Sequence, residues 1–222
     1  MIELPNVTLL CIDGVNPNQG IKAVKYSMHG INFAKSYILS HIKPDIIPAD
    51  ITYKQIPQLT HDTYSEYVLQ HLYEFVDTDF CLVINDDGFV INPELWSDEF
   101  LKYDYIGAPW KSHYPHARVG NGGFSLRSKK FINLCRQIPW RGEHEDAACC
   151  IFNKQFFLDN GCVYAPLDIA MKFSLESKIP ECQDYNLDKT FGFHGRGVVY
   201  EVFEDQGQQF KDKIKLLDTV IL

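Results

Sequence analysis

The chain of 222 residues contains no basic run longer than the Lys129 and Lys130 pair, and 21 Lys and Arg against 29 Asp and Glu leave a net charge of −8. A polyanionic backbone would have to be held against that field, so nucleic-acid binding is not expected. No stretch approaches the roughly 18 apolar residues that cross a bilayer. The start, MIELPNVTLLCID, has no basic segment leading into a long apolar core, so the expectation is a soluble, leaderless protein without a membrane span. The seven cysteines show no CxxC spacing and fall mostly in apolar runs such as FCLVI and NLCRQI, where a reduced thiol behaves as a small hydrophobe. That usage points to a reducing, cytoplasmic setting, in which the Asn6-Val7-Thr8 sequon carries no information. GxxxxGK[ST] and HExxH are absent, which leaves a P-loop nucleotidase and a zinc protease unsupported. The absence of GxSxG does the same for a nucleophile-elbow hydrolase.

What is present is an ordinary globular composition, 45% apolar, with an aromatic share of 14% that suits pockets for rings and sugars. The length fits one domain with a core of its own. NVTLLCID reads as an apolar strand ending at Asp13 and Gly14. GIKAVKYSMHG places Ile21, Val24 and Met28 at helical spacing before a stop at Gly30. INFAKSYILS is a second strand. THDTYSEYVLQHLYEFV is a helix with a Thr63 to Glu66 capping box and an apolar stripe through Tyr64, Tyr67, Val68, Leu72, Phe75 and Val76. It leads into DFCLVINDDG. This alternation predicts βαβ units and a mostly parallel sheet through at least the first ninety or so residues. Ligands of such sheets bind beyond the carboxyl ends of the strands, where Asp13, Asp86 and Asp87 lie.

The second half is less regular. YDYIGAPW reads as a short strand, KSHYPHARVGNGG as a polar loop, and SKKFINLCRQI as a helix capped by Ser128 and stopped by Pro139. GEHEDAACCIFNKQFFLDNG reads as a helix, acidic at its start and ending at Asn160 and Gly161. The short strands CVYAP, FGFHG and VVYEVF follow.

Four stretches could carry chemistry. Asp86 and Asp87 at a strand end need a cation, a proton or solvent to coexist. They are either a solvated Asp-Gly turn or the holder of a divalent ion shared with a ligand's phosphates. VGNGGFSLRSKK, with Gly120, Gly122 and Gly123 ahead of Ser125 and Ser128, is either a glycine turn before a capped helix or backbone left open to a phosphate or a sugar ring. GEHED offers dipole partners for a helix start, or, in Asp146 or Glu145, a general base for an acceptor hydroxyl, an effect of about 10²–10⁴-fold. His194 in FGFHGRG is either structural or a donor to a Mn²⁺ site.

In chain order, the acidic strand end, WSDEFLKYDYIGAPW, VGNGGFSLRS, the acidic pair opening a helix and FGFHG resemble the nucleotide-sugar glycosyltransferases of the GT-A type. More closely they resemble the glycosyltransferase-like domains of bacteria, fungi and viruses that form a family of unknown function. The resemblance runs from residue 7 to about 195 and is most specific at WSDEFLKYDYIGAPW and GNGGFSLRSKK. It implies an α/β, GT-A (Rossmann-like) single domain over residues 1–222, with a mixed, mostly parallel central sheet flanked by helices. The nucleotide-binding half would cover about 1–90 and the acceptor-binding and catalytic half about 91–222.

By that resemblance Asp87 is the principal ligand of Mn²⁺ or Mg²⁺, Asn85 or Asp86 contributes nearby, and His194 approaches the same ion. Gly122 and Gly123 face the donor sugar, and Asp146 takes the acceptor proton. Asp13 and Asn16 are placed to meet the base or ribose. A strict Asp-x-Asp motif would need Asp at position 85, where this chain offers the neutral oxygen of Asn85. The implied activity is inverting transfer of a sugar from a nucleoside-diphosphate sugar, a UDP-sugar first among candidates, to a hydroxyl of a carbohydrate or other acceptor. Two alternatives stand beside it: a non-catalytic module that binds a sugar nucleotide or glycan, and a metal-dependent nucleotide-sugar phosphohydrolase.

Overall fold

The computed structural model describes residues 1–111, 116–179, 186–195, 197 and 204–221. Its centre is a six-stranded sheet of order β3-β2-β1-β4-β6-β5, built from β1 (Ile2–Ile12), β2 (Ile31–Ser40), β3 (Thr52–Gln55), β4 (Phe80–Ile84), β5 (Tyr105–Ile106) and β6 (Phe124–Ser128). β3, β2, β1 and β4 run parallel, β6 is antiparallel to β4, and β5 is antiparallel to β6.

β1 is central and covered on both faces, which is why its sequence is almost continuously apolar rather than alternating. Leu9 and Cys11 join Leu82 and Ile84 of β4 in one core, beside α1 (Pro17–Met28). Leu10 and Ile12 join Cys81 and Val83 in the opposite core, beside α2 (His61–His71) and Ile132 of α3 (Lys129–Cys135). Leu10 is wholly buried, and trimming such a side chain to alanine costs about 2–5 kcal/mol. A third cluster gathers Tyr105, Phe131, Cys149 and Phe157 under α4 (Glu145–Ala147) and α5 (Lys154–Asp159). The architecture is the expected mixed, mostly parallel sheet flanked by helices, consistent with a GT-A-like, Rossmann-type fold.

Several local expectations change. Thr60, not Thr63, is the N-cap of α2: its extended backbone lets the hydroxyl accept from Thr63 N, and Thr63 Oγ1 accepts in return from Thr60 N. α2 ends at His71 and tightens into a 3₁₀ turn, Leu72–Phe75. The single helix expected from GEHED to Gly161 is broken into α4, a π turn at Ala148–Phe152 and α5. Asn153 N reaches Ala148 O at 2.9 Å across that wider turn, a local widening that often accompanies functional sites.

CVYAP makes only an isolated bridge, Tyr105 to Tyr164, because Pro166, lacking an N–H, turns the chain into α6 (Leu167–Phe173). FGFHG contributes β8 (Gly192–Phe193), paired in parallel with β7 (Ser174–Leu175) in a small second sheet. VVYEVF, residues 198–203, lies outside the described residues. Three strands, β3, β6 and β7, and two helices, α6 and α7 (Glu204–Ile221), form where the sequence reading placed none. Phe210 of α7 is wholly buried and meets Phe193 edge-on at 4.8 Å, next to His194. No helix among the described residues is long and apolar enough to cross a membrane.

Candidate functional site

The parallel strands β1 and β4 end at the sheet edge where antiparallel β6 begins, since Cys11 pairs with Ile84 and Ile84 with Phe124. Asp13, the Asp86 and Asp87 pair and the Gly122–Gly123 stretch therefore arrive at one place. They line a cleft of about 610 Å³, together with Glu145 and Asp146 from α4 and His194 from the end of β8. Of the ten residues expected to hold the ion, meet the donor or act as base, nine line it. The exception is Asn16, which caps α1 by accepting from Gln19 N at 3.4 Å. Among the described residues, six carboxylates line the cleft and no lysine or arginine does.

Asp86 and Asp87 form the corner of a tight turn in which Asn85 N donates to Gly88 O at 3.1 Å and Gly88 N to Asn85 O at 3.2 Å. The turn reading and the ligand reading are thus compatible. The bend aims the acidic pair at the cleft, and Gly195 N fixes it by donating to Asp87 O at 2.7 Å. Tyr64, on α2, donates from its hydroxyl to Asn85 Oδ1 at 3.4 Å. Burial above all pushes the Tyr64 phenol far above its ordinary range, so it acts as a neutral donor. Asp13 is committed to the β1–α1 turn: Oδ1 accepts from Val15 N at 2.8 Å and Asn16 N at 2.7 Å. Its Oδ2 is buried without a hydrogen-bond partner among the described residues.

His194 Nε2 stands 3.6 Å from Asp87 Oδ1, and Nδ1 lies 3.2 Å from Glu176 Oε1 and 3.0 Å from Asn121 Nδ2. Burial opposes a charge on His194, but the Glu176 hydrogen bond and the negative Asp87, Glu176 and Asp146 outweigh it and raise its pKa. Asp87 Oδ1 and His194 Nε2 are two donors converging on one space. Among the described residues no group of three His, Cys, Asp or Glu could hold an ion alone. Such a donor set fits a hard cation that takes its remaining oxygens from a ligand and water, as Mg²⁺ and Mn²⁺ commonly do, and does not fit a closed cage.

Asp146 Oδ1 accepts from Ala147 N at 2.6 Å and Oδ2 from Gly122 N at 3.3 Å. Burial first, then the neighbouring Glu145, raises its pKa from 3.8 to about 6, a value suited to a base working near neutrality. Glu145, the other candidate base, is engaged at both oxygens. Oε1 faces Arg127 Nη2 at 3.4 Å, and Oε2 accepts from Ser65 Oγ at 3.3 Å.

The glycines serve a purpose the sequence reading did not anticipate. A β-carbon on Gly122 would stand 1.7 Å from Glu145 Oε1, and one on Gly123 would stand 2.0 Å from His194 Nε2. Their bareness admits the protein's own side chains. Nor does the loop precede a helix. It runs into β6, where Ser125 is buried and Ser128 caps α3 by accepting from Phe131 N, so neither serine forms a phosphate cradle.

Residues 51–194 match the model of a family described as a protein of unknown function, DUF5672. The chain belongs to that family. No curated protein matches this DUF5672 chain. Solved structures of similar fold include A197 from STIV, with 12% identity and a TM-score of 0.40 over 71% of this chain and 79% of that one. Another is a glycosyltransferase involved in the glycosylation of the major capsid of PBCV-1, with 15% identity and a TM-score of 0.43 over 88% and 96%.

The residues missed in the sequence are Glu176, Asn121, Tyr64 and Arg127. Asn121 left a signal in retrospect: a non-glycine among glycines, it adopts a positive φ of 71°, for which asparagine is among the better suited side chains.

Proposed function

We propose that this DUF5672 member transfers a glycosyl group from a nucleoside-diphosphate sugar to a hydroxyl acceptor with inversion. The observation that carries the reading is the meeting, in one cleft, of Asp87 and His194, 3.6 Å apart, with Asp146, whose pKa is raised to about 6.

The acceptor oxygen attacks the anomeric carbon as the bond from that carbon to the diphosphate oxygen breaks. The bonding pair leaves with the nucleoside diphosphate, and Asp146 takes the acceptor's proton. Asp146 is poised for this because partial burial raises its pKa and the Gly122 and Ala147 amides fix its direction. The described lining of the cleft is unsuited to a bare diphosphate, since among the described residues it has six carboxylates and no lysine or arginine. Asp87 and His194 would hold Mg²⁺ or Mn²⁺, with Asn85 and Asp86 close by, and the ion would offset the charge that develops on the departing diphosphate. Gly122 and Gly123 would face the donor sugar, and the end of β1 near Asp13 and Asn16 would receive the base or ribose. A UDP-sugar is the first donor to try and a carbohydrate the first acceptor.

The test is a thermal-shift screen of nucleotide sugars with and without Mn²⁺. A ligand that binds only the native state raises its midpoint. Stabilisation by a UDP-sugar only when Mn²⁺ is present, lost in Asp87→Ala, supports the reading. Stabilisation by neither UDP-, GDP- nor dTDP-sugars in either condition sinks it.

A further inference from the structure

Among the described residues Arg127 is one of the largest wholly buried side chains, 1% exposed, and is not among those that line the cleft. Burial opposes its charge, but the Tyr105 ring, 5.5 Å from the guanidinium carbon, and the Glu145 carboxylate favour it, and the guanidinium stays protonated. A buried charge of this kind is expensive unless its partners are in place, and here they are specific. Nε donates to Ser125 Oγ at 2.9 Å, and Nη2 donates to Gly122 O at 3.3 Å while facing Glu145 Oε1 at 3.4 Å. Ser125 Oγ in turn donates to Gly122 O at 3.2 Å. The Gly122 carbonyl is thus held by two donors from beneath the cleft, and the Gly122 amide donates upward to Asp146 Oδ2. Glu145 closes against the bare Gly122 α-carbon, where no β-carbon fits.

We propose that Arg127 is the positioning residue for Asp146, acting through the Gly122 residue, and that Glu145 is its counter-charge rather than a second base. This rests on the reading of Asp146 as the base. Consecutive residues of α4 then divide the work: Glu145 turns inward to complete the guanidinium's shell, and Asp146 turns to the cleft. The geometry gives Gly122 its requirement for glycine twice over, since any side chain would displace Glu145 from Arg127 and, with it, the amide that orients Asp146.

The experiment follows the Gly122 amide resonance in ¹H–¹⁵N spectra across pH 4 to 8, using ¹⁵N-labelled full chain. In the unmodified protein that resonance should move with a midpoint near 6, the value to which Asp146 is raised, and Asp146→Asn should abolish the movement. Arg127→Lys keeps a positive charge beside Glu145 but cannot reproduce the fork of donors. It is expected to cut the amplitude of the Gly122 movement by more than half and to speed exchange of that amide at least tenfold, while the spectrum elsewhere stays native. Should Arg127→Lys fail to fold, the paired Arg127→Met with Glu145→Gln, which buries no lone charge, is read in the same way. A folded variant with unchanged Gly122 titration and exchange would overturn the proposal, leaving Arg127 as packing only. The readout needs no substrate, so it separates from the function reading: a responsive Gly122 amide together with full transfer by Asp146→Asn would keep Arg127's role and discard Asp146 as base.

Discussion

Gly123 and His194 are in such close contact that a methyl group on the glycine would lie 2.0 Å from the imidazole Nε2. The backbone of the glycine loop is therefore the wall that sets where the histidine can point, and the histidine in turn stands over Asp87.

Gly123→Ala is expected to swing His194 away from Asp87 at a stability cost of about 1–3 kcal/mol, the usual range for an overpacked site. The Mn²⁺-dependent thermal shift with a UDP-sugar should fall by more than half, and His194→Ala should reproduce that loss. Equal shifts in Gly123→Ala and the unmodified protein would show that His194 is not a donor to the ion.

Asp146 gives a pH prediction with a definite sign. Its pKa is raised on folding from 3.8 to about 6, so the native state retains a proton that the unfolded chain has released. Its contribution to stability is full below about pH 4 and is lost as pH rises towards 6, amounting to about 2–3 kcal/mol. Urea unfolding of the unmodified protein against Asp146→Asn should show the difference between the two shifting in favour of the variant over that window. Transfer should follow the opposite course, rising through about pH 6 as the carboxylate forms.

Arg127→Met alone is expected to destabilise by about 3–5 kcal/mol, because Glu145 is left charged and buried. Adding Glu145→Gln should recover much of that loss, which urea denaturation of the two variants measures directly. No recovery would mean that the guanidinium's bonds to Gly122 and Ser125, not its pairing with Glu145, dominate.

Asp87→Ala should leave the unfolding free energy of the free protein within about 0.5 kcal/mol, as substitutions at open surface positions usually do, since the carboxylate is 45% exposed. The same change should abolish any gain in midpoint from Mn²⁺ with a UDP-sugar, read in one thermal-shift plate.

The parallel half was legible because burial on both faces makes β4 and the second half of β1 read as apolar runs ended by acidic or turn residues. Rotamer-scale detail was not needed to place Asp13, Asp86 and Asp87 at strand ends. β6 was hidden by the same rule. In FSLRS the alternation sets Phe124 and Leu126 on one face and Ser125 and Arg127 on the other, which suggests a solvent side. Yet Ser125 and Arg127 are buried, since α2 and α4 cover that face with Ser65 and Glu145. The partner that makes an inward arginine affordable lies 18 residues further on, and no local pattern contains it. Glu176 was missed for a similar reason: only the short pairing of β7 with β8 brings it beside His194.

The buried ion pair has a consequence for how the cleft comes apart. Arg127 belongs to the sheet, Glu145 to α4 and Ser65 to α2, so peeling any one of these elements back would strand a charge in the interior. Opening of that wall of the cleft is thereby tied to collapse of the whole core. Amides around Gly122 and Asp146 should exchange with solvent only at the rate of global unfolding, unlike those of an ordinary surface loop.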